Sequence, residues 1–369
     1  MEYKHLFFTL FILFFQYCGQ HKKHPATDGF SKSDFYTVHD FNKVDKIDAH
    51  VHIDTDKPDF VQQARDDNFK LLTINWDDPN ESADMKVQQR IAIQQLKAFP
   101  GYVAYATTFS VRNFNDGDWK EKTIAYLKNS FAQGAIAVKV YKVIGMDLKD
   151  ENGEYIMIDD PRFDPIIDFI HSNNIPIIGH LGEPKNCWLP LDKMTVNGDK
   201  SYFSENPEYH MYLHPEAPSY EDQIEARDNM LRKHPNLRFV GAHLGSLEWS
   251  VDELAKRLDE FPNMAVDMAG RISHLQYQSS INRLKVRDFV IKYQDRLIYG
   301  TDLSAEPSSD PSELKKRMQS TWTSDWKYFV SNESMTVSDF DGEFKGLNLP
   351  KNVVEKIYYT NAEKWFPGL

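Results

Sequence analysis

The chain has 369 residues, of which 41% are hydrophobic and 27% charged, a globular composition long enough for one large core or two modest ones. Its 43 basic and 55 acidic side chains give a formal charge of -12, and no basic stripe interleaved with aromatics relieves it, which argues against nucleic acid as a partner. Two cysteines, Cys18 and Cys187, are too few for a disulfide framework or a thiolate zinc cluster, so any metal must rely on histidines and carboxylates.

At the start, Lys4 precedes an apolar run from Leu6 to Phe15. That length suits the core of a signal peptide and falls short of the roughly 20 residues that span a bilayer. The run stops at Gln16-Tyr17-Cys18-Gly19, which reads as a lipoprotein processing site. Gln16 and Tyr17 are nevertheless larger than the residues usual before a lipidated cysteine. The expectation is export, to the periplasm or as an outer-membrane lipoprotein if the source is bacterial, with residues 1–18 as leader. Any membrane contact would then run through a lipid anchor at Cys18. Residues 19–40 read as a polar spacer and residues 41–369 as one domain.

After the spacer, short runs rich in Val, Ile, Ala and Tyr alternate with segments carrying apolar residues at threes and fours, the pattern of βα units around parallel strands. The strands are expected at Val44–Ile53, Phe69–Trp76, Tyr102–Phe109, Ala135–Val143, Ile175–Leu181, Leu237–Leu244, Met264–Met268 and Leu297–Leu303. Helices are expected at Lys86–Phe99, Trp119–Phe131, Arg162–His171, Tyr220–His234, Val251–Phe261 and Arg283–Tyr293. Eight such repeats fit an α/β chain folded as one (β/α)8 TIM barrel, which needs roughly 250 residues, with insertions. The surplus lies after strand 5, at Glu183–Ser219, and after strand 8, at Ser304–Leu349, both at the C-terminal mouth. Their aromatics, Trp188, Tyr202 and Tyr209 in the first and Trp322, Trp326, Tyr328 and Phe329 in the second, either line a pocket or pack the insertions onto the rim.

The chemistry concentrates at strand ends. His50 and His52 stand two apart on strand 1 and so share a face. Alone they could be a polar strand end, but strand 5 ends at His180, strand 6 at His243 and strand 8 at Asp302. Four strands thus bring His or Asp to the end of a barrel where active sites are built.

These residues, with the closing stretch Ile357-Tyr358-Tyr359-Thr360-Asn361-Ala362-Glu363-Lys364-Trp365-Phe366, resemble the amidohydrolase superfamily. The likeness is greatest to its amidohydrolase-related branch, which includes aminocarboxymuconate semialdehyde decarboxylase and related lactonases and hydratases. The resemblance implies a metal-dependent barrel enzyme with one divalent ion, usually zinc with manganese as an alternative, held by His50, His52, His180 and Asp302. It implies a metal-bound hydroxide as reactive species, Asp302 taking a proton and His243 polarising a substrate carbonyl and stabilising its oxyanion, or moving a proton, rather than ligating the ion.

Lys139 and Lys142, near the end of strand 4, leave an alternative open. A carboxylated lysine there would bridge two ions and recruit His243 as a ligand. The two have opposite parity, so the alternation does not say which faces inward. Lys139, Lys142, Glu183 and Arg271 are candidate substrate-binding residues, each with a plain ion-pair reading beside it. Hydrolysis of an ester, lactone or amide of a small molecule is the expected reaction. Decarboxylation or hydration on the same residues is the alternative, and an exported binding lipoprotein without turnover is the rival from another class. Quaternary state is not readable.

Overall fold

Nine parallel strands form one curled sheet in the order β8-β7-β6-β5-β4-β3-β2-β1-β9. They are β1 (Lys46–Ile53), β2 (Phe69–Ile74), β3 (Val103–Thr108), β4 (Ala135–Val140), β5 (Ile177–Gly179), β6 (Phe239–Gly241), β7 (Met264–Asp267), β8 (Leu297–Ile298) and β9 (Leu303–Ala305). The computed structural model describes residues 32–78 and 84–369, and residues 35–369 pack as one unit. The expected leader, its Cys18 and the spacer up to residue 31 lie outside the described residues.

The sheet closes into the expected barrel through an interrupted eighth strand. β9 pairs with Val51–Ile53 of β1, while the Ala49 N–H donates to Tyr299 O at 3.0 Å just after β8. The single strand expected over Leu297–Leu303 is therefore two short pieces separated by Tyr299–Asp302. Several other strands are also shorter than expected: β5 and β6 hold three residues each, and the residues that follow them turn into the mouth.

The inner lining is Ile47, Ala49, Leu72, Ile74, Ala104, Ala106, Ala137, Ile178, Val240, Ala242, Ala265 and Ile298. Half of these positions are alanine, which leaves room below for Trp365 and Phe366, packed into the same cluster. The strands' outer faces bury Val, Leu, Ile and Phe against the helices, so both faces are apolar, as a parallel sheet requires.

Helices surround the sheet at Asp59–Asp66, Met85–Ala98, Trp119–Ala132, Asp164–Ser172, Tyr220–Lys233, Val251–Glu260, Ile272–Lys292 and Pro311–Val330. Their starts carry local signals: Ser219 and Asp222 form a capping box, and Asp310 accepts from the Ser312 and Glu313 N–H groups, satisfying donors with no partner inside the helix.

Two expectations need refining here. The stretch after strand 8 contains a barrel helix, Pro311–Val330, while Ser304, Glu306 and Asp339 on either side of it line the mouth cavity. The helix's Trp322, Trp326, Tyr328 and Phe329 are 0–1% exposed in the core, where Trp322 stacks on Phe69 at 4.3 Å and donates from Nε1 to Asp48 Oδ2 at 3.0 Å. The helix expected at Arg283–Tyr293 begins at Ile272, with Asn282 outside helical geometry, and this break hides its first half from a periodicity reading.

Candidate active site

β1 owes its two inward histidines to a bulge. Ile47 and Ala49 line the barrel interior while Asp48 faces out to Trp322 and Thr301. The β1–β2 register shifts between Asp48 and Val51, which puts Val51 and Ile53 in the outer core and turns His50 and His52 inward. Bulges commonly re-aim side chains in this way next to active sites.

Each of three imidazoles is fixed by its Nδ1. That of His50 donates to Asp267 Oδ2 at 2.9 Å, that of His52 to Ile74 O at 2.8 Å, and that of His243 to Ala269 O at 2.8 Å. Because these partners can only accept, the proton sits on Nδ1 and Nε2 keeps its lone pair. Burial pushes the His50 and His243 imidazoles down in pKa, and that of His180 to about 3, so all three stay neutral near pH 7, the ligating form.

One ligand atom from each of His50, His243 and Asp302 lies within 4.8 Å of the other two. Asp302 Oδ1 is 3.2 Å from His52 Nε2 and 3.5 Å from His50 Nε2, and the ring of His180 is centred 4.3 Å from that of His243. His180 Nε2 is buried and has no hydrogen-bond partner among the described residues; Glu183 Oε2 stands off at 3.7 Å. Lone pairs thus face a carboxylate across little more than 3 Å, an arrangement that calls for a positive charge between them. The donor set, neutral imidazoles with an ionised carboxylate, fits a divalent metal.

The structure decides which lysine faces inward. Lys139 is 1% exposed, with Nζ 3.3 Å from His50 Nε2, and burial lowers its ammonium to about 8. Lys142 sits at the rim in a close ion pair with Glu183. Burial opposes its charge, but Glu183 outweighs this and raises its pKa, while Lys142 holds the buried Glu183 carboxyl below the usual range. These two therefore engage each other.

The backbone at the site is held in sparsely populated geometry. His243, Leu244, Gly245 and Ser246 all have φ between +56° and +63°, and Asp302 has φ +66°. Single residues adopt such angles at a cost when their surroundings impose them. Here the His243 N–H donates to Asp267 Oδ1 at 2.8 Å and the Asp302 N–H to His50 O at 2.8 Å. Asp267, which serves both His50 and His243, was not singled out from the sequence. The apolar strand Met264-Ala265-Val266 ending in an acid was the available signal.

Above the histidines opens a cavity of about 600 Å³ reached by His52, Lys139, His180, His243, Arg271 and Asp302. Trp76 and Tyr141 form one wall, ring centres 5.5 Å apart. From the insertion after β5, Tyr202 and Phe203 line it, whereas Trp188 packs on Tyr220. His274, three residues beyond Arg271, is 2% exposed and pairs with Asp199 at 3.2 Å.

The amidohydrolase family profile matches residues 47–368. The chain belongs to the amidohydrolase family. No curated protein sequence matches this amidohydrolase-family chain. Among solved structures it is similar to a 2,6-dihydroxybenzoate decarboxylase complexed with 2,6-dihydroxybenzoate, at 12% identity and TM-score 0.50, over 87% of this chain and 98% of that one. It is also similar to a 4-oxalomesaconate hydratase from Rhodopseudomonas palustris, at 11% identity and TM-score 0.44, over 88% and 96%. At such identities the likeness is one of fold alone.

Proposed function

We propose that the protein is a metal-dependent hydrolase of an ester, lactone or amide bond in a small molecule. The observation that carries this reading is the convergence of His50, His243 and Asp302 with His52 and His180 beside them, while the Nδ1 atoms of His50, His52 and His243 are committed to acceptors. His50, His52, His180 and Asp302 would hold the ion. A divalent ion bound there supplies Lewis acidity and lowers the pKa of a water towards ~7.

The remaining work falls to the chain. Asp302 is the only one of these groups whose side chain is substantially open, at 35%, so it can take a proton from an attacking water and return it to the leaving group. His243 presents a lone pair at Nε2, which suits accepting a proton more than stabilising an oxyanion; it would do the latter only once protonated. Lys139, cationic below about pH 8, is the inward positive charge available to stabilise the negative charge that develops on substrate oxygen.

A second reading has a specific observation behind it. Lys139 at the end of β4 faces the ligand cluster, and His243 belongs to the tightest group of ligand atoms. A carboxylated Lys139 bridging two ions, with His243 as a ligand, fits that placement.

Elemental analysis of residues 19–369 purified with zinc or manganese supplied tests both. About one ion per chain, lost when His50 and His52 are both changed to Ala, supports the mononuclear site. Two ions, falling in Lys139→Ala, support the bridged one. No bound ion overturns the proposal. Hydrolysis of a lactone and ester panel against carbon dioxide release from carboxylic acids then separates hydrolase from lyase.

A further inference from the structure

The helix Tyr220–Lys233 turns a polar stripe towards the barrel mouth, because Tyr220, Gln223 and Arg227 stand three and four residues apart and so share a face. Each donates to a backbone carbonyl of a segment that follows a strand. Gln223 Nε2 reaches Gly145 O at 2.7 Å after β4. After β6, the Tyr220 hydroxyl reaches Ser246 O and Arg227 Nη1 reaches Gly245 O. These segments press close against the helix: a Cβ on Gly182 would stand 3.1 Å from Gln223 Cβ, and one on Gly245 3.4 Å from Arg227 Nη1.

Arg227 is 1% exposed, and a guanidinium taken out of water costs stability unless it is paired. Asp228, equally buried, accepts from its Nε and Nη2 through Oδ1 at 3.0 and 2.7 Å. Arg257 Nε donates to Asp228 Oδ2 at 3.1 Å, so the acid is shared and Arg227 Nη1 holds the Gly245 carbonyl. Packing of the helix needs no such charge, since Ile224 and Leu231 on the same helix fill the core. What the guanidinium grips is the left-handed run His243–Ser246, whose angles persist where the surroundings impose them. That run carries His243 at one end. At the other, Ser246 Oγ donates to Gly182 O at 2.7 Å, two residues past His180.

We infer that Arg227 and Tyr220 are positioning residues. By gripping the carbonyls of Gly245 and Ser246 they hold the left-handed turn that aims His243 into the site, and through Ser246 they steady the loop after His180. The inference rests on the proposed function only in taking His180 and His243 as working groups; the grip is the same whichever bond is broken. A buried charge outside the barrel wall thus acts on the mouth through the backbone alone.

The test reads the histidine ring signals of the metal-free protein by magnetic resonance after labelling its histidines with nitrogen-15. His52, whose Nδ1 is held by Ile74 O, is the internal reference. Arg227→Lys keeps a charge beside Asp228 but loses the planar fork that spans Asp228 and Gly245 together, and Tyr220→Phe removes only a hydroxyl. Each variant is expected to shift the His243 ring signals, and through Ser246 those of His180. Each should also lose the His243 Nδ1–H signal, protected in the wild type by Ala269 O, through faster exchange, with His52 unmoved. Tyr220→Phe decides the matter if Arg227→Lys does not fold by circular dichroism. Phe366→Ala, destabilised at the other end of the barrel, is the control for a merely structural effect and should leave these signals in place. Unchanged His243 signals in the deciding variant, or the same changes in Phe366→Ala, would overturn the inference. Zinc titrated into the wild type afterwards reports on the metal site separately, so failure of the metal reading is not mistaken for failure of this one.

Discussion

Asp267 shows how much of this site rests on one residue that touches no substrate. Its two oxygens fix the His50 ring through Nδ1 and the His243 backbone through its N–H, so it sets the direction of one lone pair and the entry into the left-handed turn. Asp267→Asn could offer an N–H where His50 needs an acceptor and turn the tautomer around. Metal affinity measured against a competing chelator is expected to fall by about 10–100-fold; unchanged affinity would mean that His50 is oriented by its packing alone. At the opposite end of β1, Lys46 is fully buried, donating to Phe41 O and Val44 O at 2.6 and 2.7 Å. Burial lowers its ammonium to about 8 from 10.5. In that window the unfolded chain binds the proton and the folded one does not, so stability gains with rising pH. The denaturant midpoint of the wild type relative to Lys46→Met should therefore climb between pH 8 and pH 10, and a flat difference would place the folded ammonium near its ordinary value.

The elements that carry chemistry are the irregular ones. β1 bulges, β5 and β6 stop after three residues, and the eighth strand breaks over Tyr299–Asp302, each irregularity delivering a ligand-type side chain to the mouth. Gly300 occupies the break because a Cβ there would lie 2.9 Å from His50 Cβ and 3.4 Å from Ala269 Cβ. Gly300→Ala is expected to fold but to push His50 aside, with weaker metal retention after gel filtration; full retention would show that the break can absorb a methyl group. Periodicity found the strands because their apolar runs are continuous. It overran their ends because the residues beyond them, such as Leu181 and Leu244, are also buried, against the site's surroundings instead of a neighbouring strand. The helix Pro311–Val330 was passed over for a related reason. Its aromatics suit a pocket lining as well as a packed wall, and only tertiary contacts such as the stacking of Trp322 on Phe69 and its bond to Asp48 place them in the barrel wall.

For the whole molecule, the alanine-rich interior and the C-terminal residues form one design. Phe366 is 1% exposed and Trp365 7% exposed within the inner cluster, closing the end of the barrel away from the site. Phe366→Ala should cost about 3–5 kcal/mol through the cavity it leaves, read as a lower denaturation midpoint, while metal content stays unchanged because the disturbance lies at the opposite end. Metal loss in that variant would mean that the two ends are coupled. What the sequence by itself determined was the barrel, since alternating βα periodicity is local, and the placement of His50, His52, His180, His243 and Asp302 at one end of it, since each lies at the end of a recognisable strand. Left for the tertiary structure were the inward turn of Lys139 over Lys142 and the part of Asp267 behind two histidines. Each depends on a bulge, a left-handed turn or a distant partner, and such features are set by contacts between strands far apart in the chain, which no local pattern records.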